Sequence, residues 1–183
     1  MDLPVVAFEI ASERYGIEAV GVVEVVPSVP LRAVPGTVPG VTGLLRFRGG
    51  LVPVVDLGIL WAGRPSPARM SSRIVVCELE RAGRADGSGT PGGGGGTAAP
   101  PASWADTAAL ACPRIGLLAE RVLHVTSVDP DAPEAGEGPR TPGARGLGRI
   151  VRDGAALLQL VRVADLVPAD VLATLVHEEG APS

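Results

Sequence analysis

Apolar residues in this chain come in short bursts rather than at helical spacing. The runs VVAFEIA (Val5 to Ala11), RYGIEAVGVVEVV (Arg14 to Val26) and GGLVPVVDL (Gly49 to Leu57) open the series. SRIVVCELE (Ser72 to Glu80), RIGLLAERVLHVTSV (Arg114 to Val128) and GLGRIVRDGAALLQLVRV (Gly146 to Val163) complete it. Each is rich in β-branched or apolar residues and bounded by Gly, Pro, Asp or Ser, which predicts strands. Asp153-Gly154, lying between two apolar runs, predicts a β-hairpin. Helical pattern is sparse. Asp170 can cap a segment over VLATLVHE, with Val171, Leu172, Leu175 and Val176 apolar, and DLGILWAG (Asp56 to Gly63) has room for one or two turns. Many short strands predict a mainly β protein built as barrels or sandwiches, not a parallel sheet clothed in helices.

Two segments break this pattern. From Arg81 to Pro113 the chain collapses into Gly, Ala, Pro, Ser and Thr, and 129–146 is again rich in proline and glycine. Neither can bury enough apolar surface to offset its ordering entropy, so both are expected to be flexible loops inside a single domain spanning 1–183. Aromatic residues make up only 3% against 46% hydrophobic overall, so the core is expected to be mainly Val, Leu, Ile and Ala.

Charge and reactive groups narrow the function. The net charge is −4 with no cluster of cations, which argues against nucleic acid as a partner. All 16 basic residues are arginine, the side chain of planar, bidentate protein contacts. The absence of lysine removes Schiff-base and P-loop chemistry, and the five-glycine run is followed by no Gly-Lys-Ser/Thr. Cys77 and Cys112 form no metal or redox motif, His124 and His177 follow no ligand spacing, and no Gly-x-Ser-x-Gly elbow occurs. The acids Glu9, Glu18, Glu24, Asp56, Glu78, Glu120 and Asp153 could supply an acid and base only by chance meeting in space. The expectation is a protein that is not an enzyme, with no catalytic, cofactor or metal site. The N-terminus carries no signal-peptide pattern and no long apolar stretch spans a bilayer, so a cytoplasmic protein without direct membrane insertion is expected.

Two charges stand inside apolar strands. Glu24 interrupts VGVVEVV and Arg48 opens RGGLVPVV. Simple alternation would turn both to solvent. Alternatively they pair across adjoining strands and fix a turn whose rim meets a partner. Asp56 is expected to cap the turn that follows it.

The order of motifs resembles the CheW-like domain family. Tyr15-Gly16-Ile17 matches the family's YGI after an opening strand, and Val22-Val23-Glu24-Val25 its V-x-E-I/V strand. Gly43 to Leu57, GLLRFRGGLVPVVDL, matches G-x-x-N-L-R-G-x-x-x-P-V-x-D-L; Gly116 to Val122 and Gly146 to Leu166 match the later motifs. Arg46 stands where asparagine is usual, Phe47 where leucine is, and the Gly-rich insertion at 81–113 is longer than the family usually carries. The resemblance implies two small five-stranded SH3-like β-barrels packed on a shared apolar seam, with one or two short helices. It implies no cofactor and a non-catalytic adaptor, coupling chemoreceptors to a CheA-type histidine kinase in a chemotaxis-type array. One barrel would contact the kinase regulatory domain, and the seam would take the cytoplasmic hairpin tip of a chemoreceptor. The implied protein-binding residues are Val22, Glu24, Arg46, Arg48, Gly49 and Leu51. Alternatives are a CheW-like scaffold in another two-component pathway, such as surface motility or development, and a small-ligand-binding β-barrel.

Overall fold

Each Val-rich run folds into one strand or two. The computed structural model describes residues 2–33, 40–79, 114–129, 131, 135 and 145–167. The strands are β1 (Leu3–Ile10), β2 (Glu13–Glu18), β3 (Val22–Pro27), β4 (Val41–Phe47) and β5 (Gly50–Asp56), then β6 (Arg73–Glu78), β7 (Arg114–Ala119), β8 (Arg121–Val128), β9 (Leu147–Asp153) and β10 (Ala156–Val161). One short helix, α1 (Leu57–Ala62), follows β5. The segment 80–113, the helix expected after Asp170, Cys112, His177 and most of 129–146 lie outside the described residues.

The strands form two five-stranded sheets, ordered β8-β1-β2-β10-β9 and β3-β6-β7-β5-β4. The hairpin expected at Asp153-Gly154 is present, shifted by one residue: Asp153 pairs with Ala156 and Gly154-Ala155 form the turn. Each sheet curls until its outer strands meet through side chains. In the first sheet Thr126 of β8 donates to Asp153 of β9 at 2.8 Å. In the second, Glu24 of β3 meets Arg48 of the β4–β5 turn at 2.9 Å. The backbone just after β3 also pairs with β4, where Arg32 and Leu44 exchange hydrogen bonds of 2.9 and 2.8 Å.

The continuous apolar runs now have a cause. In β6, Ile74 and Val76 face the interior of the second sheet, while Val75 and Cys77 face a core between the sheets. Both faces are buried, so the strand reads as an unbroken apolar run. The first sheet encloses its own cluster of Val5, Ala7, Val128, Val151 and Leu158. The seam core includes Phe8 and Ile17 from the first sheet and Val55, Val75 and Leu117 from the second.

The core is mainly Val, Leu and Ile, as composition suggested. Within it Phe8, Tyr15 and Trp61, three of the chain's five aromatic residues, stack at the seam. Tyr15 and Trp61 lie 4.5 Å apart, and the Trp61 indole donates to the Arg145 carbonyl at 3.0 Å. Few aromatics were available, and the structure gathers these three, with their large buried area, in one stack between the sheets. Burial, with the Glu13 carboxylate as a lesser cause, pushes the Tyr15 phenol up.

The two sheets repeat one design. Both run antiparallel, antiparallel, parallel, antiparallel across their strand orders. The match reaches single residues. Gly16 and Gly116 sit at the parallel step of each sheet, opposite Leu160 and Val54, and a Cβ on either would lie 2.7 or 2.9 Å from a packed side chain. Gly40 and Gly146, at φ +86° and +72°, accept hydrogen bonds of 2.8 and 2.7 Å from the amides of Asp56 and Arg162. Glu24, opposite Val76, corresponds to His124, opposite Ala7, each beside a bulge in its ladder. The first sheet draws β1 and β2 from one end of the described chain and β8 to β10 from the other, so the repeat is permuted and hard to find along the sequence.

Candidate functional site

The stretch Leu44–Leu57 builds a hairpin whose tip stands at the rim of the second sheet. Phe47 pairs with Gly50, leaving a two-residue turn of Arg48 and Gly49. Their φ values are 49° and 83°, so both central residues take the left-handed region that suits a tight hairpin. Gly49 does so freely, and a Cβ there would meet nothing within 4 Å. Arg48 does so at a cost, because a side chain in that region crowds its own backbone.

Two contacts hold Arg48 in place. Its Nη2 donates to Glu24 Oε2 at 2.9 Å, and its Cζ lies 5.1 Å from the centroid of the buried Phe47 ring. Arg114 approaches the same ring at 6.0 Å. The ion pair expected between Glu24 and Arg48 therefore exists. It does not join neighbouring strands, however: β3 is one outer strand of the sheet, and the hairpin turn belongs to the other side. The side chains keep 44% and 60% of their exposure, so both readings of these charges hold at once, paired and facing solvent.

The remaining expected residues divide. Arg46 is exposed on β4 opposite half-buried Leu51 on β5, next to the tip. Val22 lies at the far end of β3, opposite Cys77, where it packs against the seam core. The structure thus brings Glu24, Arg46, Arg48, Gly49 and Leu51 together and leaves Val22 apart from the tip. Sequence reasoning missed Phe47, whose ring supports the turn from beneath, and Arg32, opposite Leu44. The signal for Phe47 was its alternation with exposed Arg46 and Arg48; Arg32 carried none, since its partner strand lies 12 residues on.

Asp56 caps α1 as expected. Its Oδ1 accepts from the amides of Gly58 (2.8 Å) and Ile59 (3.4 Å) and from the Ser66 hydroxyl (2.6 Å), and its Oδ2 from the Ser66 amide (2.9 Å). This buried carboxylate is fully used in structure. Cys77 lies buried in β6, and burial alone pushes its thiol up to about 12. A pocket lined by Gly16, Glu18, Gly148, Arg149, Leu160, Val161 and Arg162 encloses about 50 Å³, far below the size of a small-molecule site. Among the described residues no group of three or more His, Cys, Asp or Glu could hold a metal, and no helix is long and apolar enough to cross a membrane.

A family model described as CheW-like domain matches residues 4–170. The crystal structure of the scaffolding protein TtCheW from Thermoanaerobacter tengcongensis matches with a TM-score of 0.65 at 20% identity, covering 91% of this chain and 88% of that chain. At that identity the likeness speaks for the fold, which agrees with the expected pair of five-stranded SH3-like units. No curated protein matches the chain. With the motif order of Val5 to Leu166, the paired sheets and a family match over most of its length, the chain belongs to the CheW-like domain family.

Proposed function

We propose that this chain is a non-catalytic adaptor that couples chemoreceptors to a CheA-type histidine kinase in a chemotaxis-type signalling array. Its partners are the kinase regulatory domain and the cytoplasmic hairpin tip of a chemoreceptor, and it works in the cytoplasm. Glu24, Arg46, Arg48, Gly49 and Leu51 make the partner-binding rim, with Val22 at the seam end of β3. One domain carries both contacts: the strands of the second sheet, β3 to β7, lie between β2 and β8 of the first, so the first sheet is assembled from both sides of the second.

The observation that carries this reading is the exposed ion pair between Glu24 and Arg48 on a hairpin in an unfavourable backbone conformation. A pair this exposed adds at most about 1 kcal/mol to stability. Strain at a turn that stability does not call for is the mark of a presenting element. A rigid tip with arginines and an apolar flank suits recognition of another protein, in which a few anchors supply most of the energy. An amphipathic helix is a natural ligand for the apolar surface beside it.

The test is a pull-down of the cognate kinase and receptor fragments by the wild-type chain, Arg48→Glu and the charge swap Glu24→Arg/Arg48→Glu. Both variants are expected to keep their fold by circular dichroism and to lose binding. Wild-type binding in the single variant would sink the site assignment. Restored binding in the swap would mean that the pair only props the hairpin and that its side chains do not touch the partner.

A further inference from the structure

The outer face of the β4–β5 hairpin carries a feature the ion pair does not use. On β4, Leu45 and Phe47 point into the second sheet, so Leu44 and Arg46 lie on its outer face. Their partners on β5 are Pro53 and Leu51. That face leads along β5 to Val55, which belongs to the seam core. Arg32 stands directly opposite Leu44, two positions from Arg46 along the strand. Diagonal neighbours of this kind are about 7–8 Å apart, within reach of two arginine side chains closing on one carboxylate.

Five of the other described arginines have acidic company. Arg14 and Arg121 meet Glu9, Arg64 meets Glu120, Arg114 meets Glu78 and Arg48 meets Glu24. Arg32 and Arg46 are both exposed, and among the described residues neither has a carboxylate partner. Two cations without a carboxylate partner among the described residues, on the face that bears Leu44 and Leu51, are a local reversal of charge in a chain of net charge −4. The pseudo-equivalent face of the first sheet has half of this. Arg152 stands opposite Leu157 as Arg46 does opposite Leu51, but the residue bonded to Ile150 there is Ala135, in the place that Arg32 takes beside Leu44.

We propose that Arg32 and Arg46 form a carboxylate-accepting clamp, and that the segment docking on this face is a helix of the receptor hairpin carrying an Asp or Glu beside an apolar residue that rests on Leu44 and Leu51. This rests on the adaptor reading above and deepens it by giving the partner segment its chemistry. The clamp sets which receptors are accepted, and it gives binding a salt dependence that the exposed Glu24–Arg48 pair alone does not. A guanidinium fork favours a planar carboxylate over neutral hydrogen-bonding groups.

The test is titration of the full chain with the cognate receptor hairpin fragment at about 50 mM and about 500 mM salt, a range over which screening removes most exposed charge attraction. Arg32→Gln and Arg46→Gln are each expected to weaken binding about 5- to 10-fold at low salt and by much less at high salt. Arg152→Gln removes the same charge from the pseudo-equivalent position and is expected to bind as wild type. Receptor binding indifferent to salt and to both clamp variants, yet lost in Arg48→Glu, overturns the clamp and leaves the adaptor reading standing. An equal loss in Arg152→Gln also overturns it, because net charge rather than placement would then be at work. No receptor binding by the wild-type chain sinks both.

Discussion

Arg48 is held in a backbone conformation that costs energy by two contacts that return it, and the balance can be measured. A non-glycine residue in the left-handed region is disfavoured by about 1–2 kcal/mol. Against this stand an ion pair to Glu24 with both side chains largely in solvent, contributing up to about 1 kcal/mol. A guanidinium 5.1 Å from the Phe47 ring at an exposed site adds about 0.5–1 kcal/mol. Arg48→Ala loses both contacts and keeps the strain, so it is expected to destabilise the protein by about 1–2 kcal/mol. Arg48→Gly loses the same contacts but relieves the strain, while glycine returns about 0.5–1 kcal/mol as chain entropy. The glycine variant is therefore expected to be more stable than the alanine variant by roughly 0.5 kcal/mol or more, reversing the usual order of these residues in a strand. Urea unfolding followed by circular dichroism, with a Glu24→Ala cycle to isolate the ion pair, resolves a difference of that size. A glycine variant less stable than the alanine variant would refute the claim that the tip is strained at this position.

Three further outcomes follow from the packing. Asp56→Ala leaves four donors around a buried site without their acceptor and is expected to cost about 2–4 kcal/mol, read as a fall in urea midpoint. Gly146→Ala puts a Cβ 2.5 Å from Leu166 and 2.9 Å from the Arg162 carbonyl at φ +72°, and should cost about 2 kcal/mol or more, whereas Gly154→Ala, with open space at φ +60°, should cost about 1 kcal/mol. Stability should fall as alkali is added: the folded Cys77 thiol keeps its proton up to about pH 12, while the unfolded thiol releases it near 9, so between these values the folded state binds more protons and loses ground as pH rises. The raised Tyr15 phenol acts in the same direction. A Cys77→Val variant should show a shallower decline in urea midpoint from pH 8.5 to 11 if the thiol is the cause.

Much of this was legible in the residues because it is local. The strand runs, the hairpin at Asp153, the Asp56 cap and the charges at 24 and 48 are each written within a few positions, where β-branching, turn chemistry and capping act. The motif from Gly43 to Leu57 marked the hairpin that bears the rim. Placement was less legible. The resemblance grouped Val22 with Glu24 and Arg48, and the structure sets it across a bulge from Glu24, at the seam end of β3.

By itself, then, the sequence determined which segments extend, where they turn and which charges interrupt them, since these depend on neighbours along the chain. Tertiary structure decided which outer strands meet, and so why Glu24 reaches a residue 24 positions away. It also decided that Phe8, Tyr15 and Trp61 converge on one seam and that Arg32 comes to stand beside Arg46. The reason is that sheet order is set by burying two faces of every central strand at once, a condition on distant segments that no local pattern records.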